Sequence, residues 1–379
     1  MTRPPRLRVA FDVLPLAGER TGVGRFCGGL AGALARRDGL DLVPYAIARR
    51  ARSAVCGPAM ELGLARVRAR AVPTSVFNAA LRWVELPPIE WVTGPVAVVH
   101  GTNFVVPPAR RAARVVTVHD LTPLRFPELC TKASLAYPRL VRRAAGRGAF
   151  VHTPSEFVAD EVAERLGVDR SRIRVVPHGI ALPPSDVPPA ERSGTQRRYV
   201  LALGTIEPRK DFPSLVRAFG RIAQADPELR LVIAGPDGWG TDEFAAAAAA
   251  SAVSERIVRV GYLEERDRQA LIARAAVLAY PSLYEGFGFP PLEAMAAGVP
   301  VVAAAAGAVP EIVGDAALLV PPGDVVALAG ALESVLTHDT RRDALVAAGH
   351  VRVARFTWSA CGDGLEALYR DAAAEVARR

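Results

Sequence analysis

Cysteines and long apolar runs are scarce in this sequence of 379 residues. The four cysteines (Cys27, Cys56, Cys130 and Cys361) are scattered and form no CxxC pair, so we expect neither a disulfide framework nor a zinc cluster, and a reducing cytoplasm fits. No apolar run reaches the roughly 18 residues that a membrane-spanning helix needs. The N-terminus has a basic start but no small-residue cleavage site, which favours a tail leading into a first strand over a signal peptide.

Lysine is rare, and several catalytic signatures are missing. There is no GxxxxGK[ST] loop, no GxSxG and no HExxH, which excludes the usual phosphate-loop, serine-hydrolase and metalloprotease signals. Of 47 basic residues only Lys132 and Lys210 are lysine. This arginine bias makes the isoelectric point a poor guide to nucleic-acid binding, and we expect no nucleic-acid partner.

Composition and charge indicate two folded domains with different surfaces. Half of the residues are hydrophobic and 23% are charged, so the chain can bury substantial cores. Residues 1–190 carry 27 basic and 15 acidic side chains, whereas 191–379 carry 20 basic and 24 acidic ones. The basic half is a candidate to meet an anionic partner, and the alternative is a solvated, arginine-rich surface.

Short β-branched runs alternate with helical stretches, a pattern typical of parallel α/β units. We predict two such domains, at 1–180 and 199–355, joined by a proline-rich linker at 181–198 and followed by an amphipathic helix at 356–379. The predicted strands are 7–13, 42–47, 96–101, 114–120, 150–155, 173–179, 199–205, 229–235, 256–262, 276–282, 300–305 and 316–322. The predicted helices before the last are 25–37, 132–146, 156–167 (with Ser155 as N-cap), 212–225, 241–252, 264–274, 291–297 and 324–336.

The most informative segment is YPSLYEGFGFPPLEAMAAGVPVV, residues 280–302. A strand ends near Ser282, and Glu285 then precedes a turn of Gly286, Phe287 and Gly288. The following helix carries Glu293. Its N-terminus favours an anion or an oxygen-rich group, and both carboxylates could accept hydrogen bonds from hydroxyl groups. Alternatively Glu285 is a helix cap and Glu293 a solvated residue.

This segment resembles the EX7E motif of the retaining glycosyltransferases of family 4, which have the GT-B fold, and the resemblance covers nearly the whole chain. It implies two Rossmann-like domains facing a central cleft: an N-terminal acceptor domain, a C-terminal nucleotide-sugar domain, and a last helix that returns to the first domain. It further implies that Glu285 lies against the donor sugar and that Glu293 binds the ribose.

Two cations follow the strand that ends at Gly204. Arg209 and Lys210 are well placed for a diphosphate, since arginine offers a fork of donors and lysine a compact charge. An exposed basic pair is the alternative. The family has a matching pair that holds the donor diphosphate and stabilises the leaving nucleotide.

Histidines and glycines in the first half are further candidates. His119 directly follows a strand, so we expect its ring to reach the cleft, and the family carries a histidine there that faces the donor sugar. His100 is a candidate for the acceptor side, whereas His152 and His178 are expected to be structural. In the family the loop that contains Gly22 and Gly24 lies near the donor phosphate, although the spacing is a poor match to a dinucleotide site.

Together these features predict a retaining glycosyltransferase with a nucleotide-sugar donor. No DxD pair is present, so we expect no metal and no cofactor, with Arg209, Lys210 and backbone N–H groups neutralising the diphosphate. Glu285 would position the sugar without becoming a covalent nucleophile. Resemblance to bacterial mannosyltransferases of polysaccharide assembly favours GDP-mannose, with a UDP-sugar second. The acceptor would be a hydroxyl group, lipid-linked or not, reached from the cytoplasm at a peripheral membrane contact. The rival functions are an NDP-sugar epimerase, a phosphorylase and a non-catalytic sugar-nucleotide binding protein.

Overall fold

A computed structural model of the protein describes residues 6–18, 22–48, 51–64, 66–72, 87–181 and 198–378. The chain divides into two compact units, one formed by residues 1–179 with 356–379 and the other by residues 180–355. Each unit is built on one parallel β-sheet. Most of the predicted linker, 182–197, lies outside the described residues.

The first unit is built on a seven-stranded sheet. Its strands are β1 (Leu7–Asp12), β2 (Leu40–Ile47), β3 (Arg68–Arg70), β4 (Val98–Gly101), β5 (Ala113–Thr117), β6 (Phe150–Thr153) and β7 (Ile173–Val175). Across the sheet they lie in the order β3-β2-β1-β4-β5-β6-β7, so the order reverses between β1 and β4, where Phe11 pairs with His100. Ligands of open parallel sheets bind beyond the carboxyl ends of the strands at such a reversal.

Helices cover this first sheet. They are α1 (Gly22–Ala35), α2 (Ala51–Glu61), α3 (Glu90–Thr93), α4 (Thr122–Arg125), α5 (Tyr137–Gly146) and α6 (Glu156–Leu166). The predicted cap of α6 is confirmed, since Ser155 Oγ accepts a hydrogen bond from the N–H of Val158 at 3.3 Å. Gly167 ends α6 with φ +64°, a left-handed conformation that glycine adopts at little cost.

The second unit is built on a six-stranded sheet with the same reversal. Its strands are β8 (Tyr199–Leu203), β9 (Arg230–Ala234), β10 (Ile257–Gly261), β11 (Val277–Tyr280), β12 (Val301–Ala304) and β13 (Leu318–Val320), in the order β10-β9-β8-β11-β12-β13. Its helices are α7 (Phe212–Ile222), α8 (Thr241–Ala249), α9 (Glu265–Ala273), α10 (Phe289–Ala296), α11 (Val309–Val313), α12 (Val325–Thr337) and α13 (Asp339–Val353). The reversal falls between β8 and β11.

The last helix, α14 (Trp358–Ala377), belongs to the first unit. Thr357 caps it by accepting a hydrogen bond from the N–H of Ala360 at 3.1 Å. Its apolar face is buried, and the hydroxyl of the fully buried Tyr369 reaches His100 Nδ1 at 2.6 Å. None of the helices in the described residues is long and apolar enough to cross a membrane.

The predicted α/β class and all twelve predicted strands are confirmed, although ten of the strands end earlier than predicted and only β2 and β4 end at the predicted residue. The prediction 173–179, for example, becomes Ile173–Val175, because the following residues leave the sheet for a loop. The sequence-based prediction missed β3, α2 and α13, and also the short helices α3, α4 and α11. β3 is an exposed edge strand of sequence Arg-Ala-Arg, whose charges suit a sheet edge, and α13 buries only Leu345, Gly349 and Val353.

Candidate functional site

In the second unit, the side chains predicted to take part in the reaction meet at the carboxyl ends of β8 and β11, where the strand order of the sheet reverses. Gly204 follows β8 with φ +150°, and a Cβ atom there would lie 3.2 Å from Lys210 Cε. A short 3₁₀ turn, Pro208–Lys210, then presents the two cations. Asp211 ends that turn and caps α7 by accepting a hydrogen bond from the N–H of Ser214. The loop after β8 therefore places Arg209 and Lys210 beside the end of β11.

Glu285, which follows β11, binds both cations. One carboxylate oxygen lies 2.5 Å from Lys210 Nζ and the other lies 2.8 Å from Arg209 Nη1. The Glu285 side chain is buried, as is Lys210, and Arg209 also pairs with Glu207 at 2.5 Å. The structure thus brings together three of the predicted residues in one buried ion cluster, in which Glu207 is the second carboxylate.

The cluster fixes the charge state of Glu285. Burial by itself would raise the pKa of this carboxyl group, but Arg209 and Lys210 outweigh burial and lower the pKa from 4.5 to about 2. For Lys210 burial is the largest influence and lowers its pKa, while the charge of Glu285 opposes that effect. Glu285 is therefore ionised at neutral pH and can accept hydrogen bonds from hydroxyl groups.

The glycines of the motif shape the backbone after Glu285. Gly288 has φ +102° and is the N-cap of α10. Pro290 and Pro291 occupy the first turn, where a residue without an N–H costs no hydrogen bond within the helix. Gly286, Phe287 and Gly288 are all buried. The carbonyl of Glu285 accepts a hydrogen bond from the N–H of Ala308 at 2.8 Å, which anchors the loop.

Glu293 on α10 forms an ion pair that the sequence reading missed. Arg268 on α9 donates two hydrogen bonds to its carboxylate, at 2.8 and 2.7 Å. Both side chains are buried, with Glu293 only 6% exposed and Arg268 8% exposed. Arg268 also pairs with Glu265 at 3.0 Å. In the sequence, Glu265 and Arg268 are three residues apart on a predicted helix, so Arg268 resembles a member of an ordinary surface ion pair.

His119 lies in the first unit, beyond β5, with both ring nitrogens engaged. Nε2 donates to the carbonyl of Thr102 at 2.9 Å, because a carbonyl can only accept. Nδ1 therefore accepts a hydrogen bond, and His178 Nε2 lies 3.3 Å from it. Burial lowers the pKa of both histidines, so each is neutral at pH 7.

His100 and His152 belong to a separate hydrogen-bonded chain inside the first unit. His152 Nε2 donates to the carbonyl of Val176 at 2.9 Å, which sets the direction of the remaining bonds. Thr117 then donates to His152 Nδ1, His100 Nε2 donates to Thr117 Oγ1, and the hydroxyl of Tyr369 donates to His100 Nδ1. His100 is fully buried, so this chain links α14 to the sheet.

Gly22 and Gly24 are in a helix rather than in a loop. Helix α1 begins at Gly22, three residues before the predicted start, so both glycines lie in its first turn. Gly24 is buried and Gly22 is exposed. Residues 19–21, which precede them, lie outside the described part of the chain.

Comparisons with known proteins identify the family. A model described as "Glycosyltransferase Family 4" matches residues 20–182, and one described as "Glycosyl transferases group 1" matches residues 186–352. The O-antigen chain mannosyltransferase B of Escherichia coli is 32% identical over 274 residues, covering 69% of this chain and 71% of that protein. The chain belongs to glycosyltransferase family 4. A mannosyltransferase of Mycolicibacterium hassiacum, named MMP alpha-(1->4)-mannosyltransferase, is 31% identical over 247 residues, covering 64% of this chain and 58% of that protein.

Solved structures show the same fold. Sucrose-phosphate synthase from Thermosynechococcus elongatus matches with a TM-score of 0.71 at 20% identity, covering 97% of this chain and 99% of that chain. Anabaena HepE in complex with UDP and glucose matches with a TM-score of 0.71 at 18% identity, covering 97% and 100%. The predicted GT-B fold is confirmed. The protein is a glycosyltransferase of the hexosyl-transferring class and resembles bacterial mannosyltransferases.

Proposed function

We propose that this glycosyltransferase transfers mannose from GDP-mannose to a hydroxyl group of a glycan, glycolipid or polysaccharide precursor, with retained anomeric configuration. The observation that carries the proposal is the buried cluster of Arg209, Lys210 and Glu285 at the strand reversal of the second unit. Mannose is favoured because both relatives named above are mannosyltransferases. A UDP-sugar is the second candidate, because HepE was solved with UDP and glucose.

In this mechanism Arg209 and Lys210 stabilise the negative charge that develops on the departing diphosphate. The cluster with Glu207 contains two cations and two carboxylates, so its attraction for phosphate comes from nearby N–H donors rather than from net charge. Lysine offers three donors and arginine five, which leaves capacity beyond the ion pairs. Fixed donors aimed at developing charge do the work that a metal ion does in other transferases, so the reaction needs no metal.

Glu285 and Glu293 would hold the two sugars of the donor. Glu285 is ionised, so it can accept a hydrogen bond from a hydroxyl group of the transferred sugar. We assign it no nucleophilic role, because its two oxygens are engaged by Lys210 and Arg209. Arg268 orients the Glu293 carboxylate by two hydrogen bonds. A carboxylate has about four lone-pair sites, so Glu293 can also accept hydrogen bonds from the ribose hydroxyls.

The remaining predicted donor contacts come from the family resemblance. We assign Gly204, Gly286, Phe287 and Gly288 to the backbone around the diphosphate and the sugar. The same resemblance assigns His119, Gly22 and Gly24 to the donor. His119 can donate to a sugar hydroxyl only by giving up its bond to the Thr102 carbonyl, because Nδ1 is already an acceptor.

A donor panel tests the proposal. Purified protein is incubated with GDP-mannose, UDP-glucose, UDP-galactose or UDP-N-acetylglucosamine, with and without octyl glycoside acceptors, and nucleotide release is measured. We expect the highest rate with GDP-mannose, a product whose anomeric configuration matches that of the donor by NMR, and little activity in the matched variant Lys210→Met. Absence of donor turnover with every nucleotide sugar would refute the proposal.

The acceptor would be lipid-linked, and exposed arginines of the first unit would then contact an anionic membrane. Arg110, Arg111, Arg139, Arg142 and Arg147 are all exposed. Each arginine near an anionic bilayer contributes about 1 kcal/mol, an attraction that salt weakens. A soluble acceptor, with the arginines merely solvated, is the alternative.

Vesicle sedimentation separates these two cases. We expect binding to anionic vesicles that contain about 30% phosphatidylserine. We expect no binding to neutral vesicles of phosphatidylcholine. Binding should fall with salt and with the double substitution Arg110→Glu and Arg111→Glu. The matched control, Arg221→Glu with Arg355→Glu, makes the same charge change at exposed positions of the second unit. Failure to bind either vesicle type, or equal binding to both, would refute the membrane proposal.

A further inference from the structure

The strand reversal of the first unit carries a carboxyl group that the donor mechanism does not use. Asp12 is the last residue of β1, and Thr102 directly follows β4, the neighbouring strand. The hydroxyl of Thr102 donates to the carbonyl of Asp12 at 3.0 Å, and the carbonyl of Thr102 accepts from His119. Asp12 is therefore held at the position where open parallel sheets bind their ligands.

Among the residues that the structure describes, hydrogen bonds to the Asp12 carboxylate account for only one of its oxygens. Oδ1 accepts a hydrogen bond from the N–H of Leu14 at 2.9 Å, which opens the 3₁₀ turn Leu14–Leu16. Among the described residues no cation lies within salt-bridge distance of Asp12. Turn formation alone does not require a charge, because asparagine makes the same bond.

The surroundings of Asp12 are unfavourable for a charge. Burial raises the pKa of its carboxyl group to about 7, against the smaller opposing effect of the Leu14 N–H. The titratable groups that interact with it are Cys27 on α1, Tyr45 on β2 and Tyr137 on α5. Burial raises the pKa of all three, so they are neutral at pH 7 and offer the carboxylate no positive charge. A poorly compensated carboxyl group at the ligand-binding edge of a sheet is typical of a functional site.

We propose that Asp12 binds a hydroxyl group of the acceptor, at the end of β1 in the first unit. The inference rests on the proposed function, in which a sugar is transferred to a hydroxyl group. A carboxylate accepts a hydrogen bond from a hydroxyl and repels a phosphate. The part of the acceptor that enters this site is thus a sugar or polyol, and any phosphate of a lipid-linked acceptor lies elsewhere.

The substitution Asp12→Asn tests the proposal, because asparagine can keep the bond to the Leu14 N–H while removing the charge. The probe is the octyl glycoside with the highest wild-type turnover among octyl mannoside, glucoside and galactoside. We expect the KM for this acceptor to rise about 10- to 100-fold at pH 8, the usual worth of a hydrogen bond to a charged group. Donor hydrolysis without acceptor and calorimetric affinity for GDP should stay within about twofold of wild type.

The pH dependence gives a second readout that a purely structural role would not change. Asp12 gains its charge as the pH rises through about 7, so kcat/KM for the acceptor in wild type should increase between pH 6 and pH 8. This increase should be absent in Asp12→Asn. The matched control is Asp169→Asn, since Asp169 makes the same kind of turn bond, to the Ser171 N–H at 2.9 Å, at an exposed site of the same unit.

Deoxy analogues of the acceptor locate the bound hydroxyl even if Asp12→Asn proves unstable. One monodeoxy analogue should bind to the wild-type protein more weakly than the parent acceptor does. The loss of affinity should equal the loss that Asp12→Asn causes with the parent acceptor. Asp12→Ser, which can also open the turn, should not discriminate that analogue from the parent. An unchanged acceptor KM and pH profile in both variants would overturn the Asp12 proposal, as would an equal loss of donor hydrolysis. Absence of donor turnover in wild type would instead overturn the proposed function.

Discussion

Replacing Glu285 by glutamine removes the shared partner of Arg209 and Lys210 while keeping the shape of the side chain. In wild type the two cations lower the pKa of Glu285 from 4.5 to about 2. One pKa unit corresponds to about 1.4 kcal/mol, so this carboxylate contributes on the order of 3 kcal/mol to stability at pH 7. We expect Glu285→Gln to lose about this amount.

The sign of the pH dependence follows from the lowered pKa. A carboxyl group with a lowered pKa stabilises the folded state above the pKa of the unfolded chain, and that contribution is lost as the pH falls from about 4.5 towards 2. The difference in stability between wild type and Glu285→Gln should therefore be largest at pH 7 and less than half as large near pH 3. Arg209 retains Glu207 as a partner in the variant, which limits further loss.

Urea unfolding at pH 7, 5, 4 and 3 measures this difference. Glu255→Gln is the matched control, because the Glu255 side chain is 70% exposed and its contact with Arg256 is long, at 3.7 Å. The control should change stability by less than about 0.5 kcal/mol at every pH. A difference for Glu285→Gln that is equally large at pH 7 and pH 3 would show that packing, and not charge pairing, makes Glu285 stabilising.

Three further predictions concern activity. Lys210→Met and Arg209→Met should each lower kcat by roughly 30- to 1000-fold in steady-state assays, the cost of losing a charge-assisted contact in the transition state, about 2–4 kcal/mol. Glu293→Ala should weaken calorimetric affinity for GDP, and Arg268→Leu should do the same because it removes the guanidinium that orients Glu293, whereas Glu285→Ala should mainly lower kcat. Activity should survive EDTA, because the fixed N–H donors of Arg209, Lys210 and the backbone stabilise the developing charge that a metal would otherwise stabilise.

Each of these predictions has a clear contrary outcome. Near-normal kcat in both Lys210→Met and Arg209→Met would remove the leaving-group assignment. Unchanged GDP affinity in Glu293→Ala would contradict a contact with ribose. Activity that disappears in EDTA and returns with magnesium or manganese would show that a metal takes part.

Most strands and helices, and the positions of the main motif, could be predicted from local patterns of residues. Strands such as β8 and β11 are short runs of apolar residues bounded by glycine, proline or polar residues, and such local patterns survive in any context. Ser155 is predictable as a cap because it directly precedes a helical stretch, and the N–H that it binds, that of Val158, is only three residues away. Glu285, Gly288 and Glu293 lie at one strand end and the following helix, so their neighbourhood was also local.

Which distant groups meet depends on how the strands and helices pack together. Arg268 and Glu293 are 25 residues apart on different helices, and nothing in the spacing indicates that Arg268 turns away from solvent to pair with a buried carboxylate. Asp12 and Thr102 meet because β4 lies beside β1, a neighbour relation set by strand order rather than by sequence separation. The hydrogen bonds of both His119 nitrogens likewise depend on Thr102, which follows β4, and on His178, which follows β7. Local patterns fix each strand and helix because their bonds are short-range, whereas the charge state and the partners of a buried group depend on which elements pack around it.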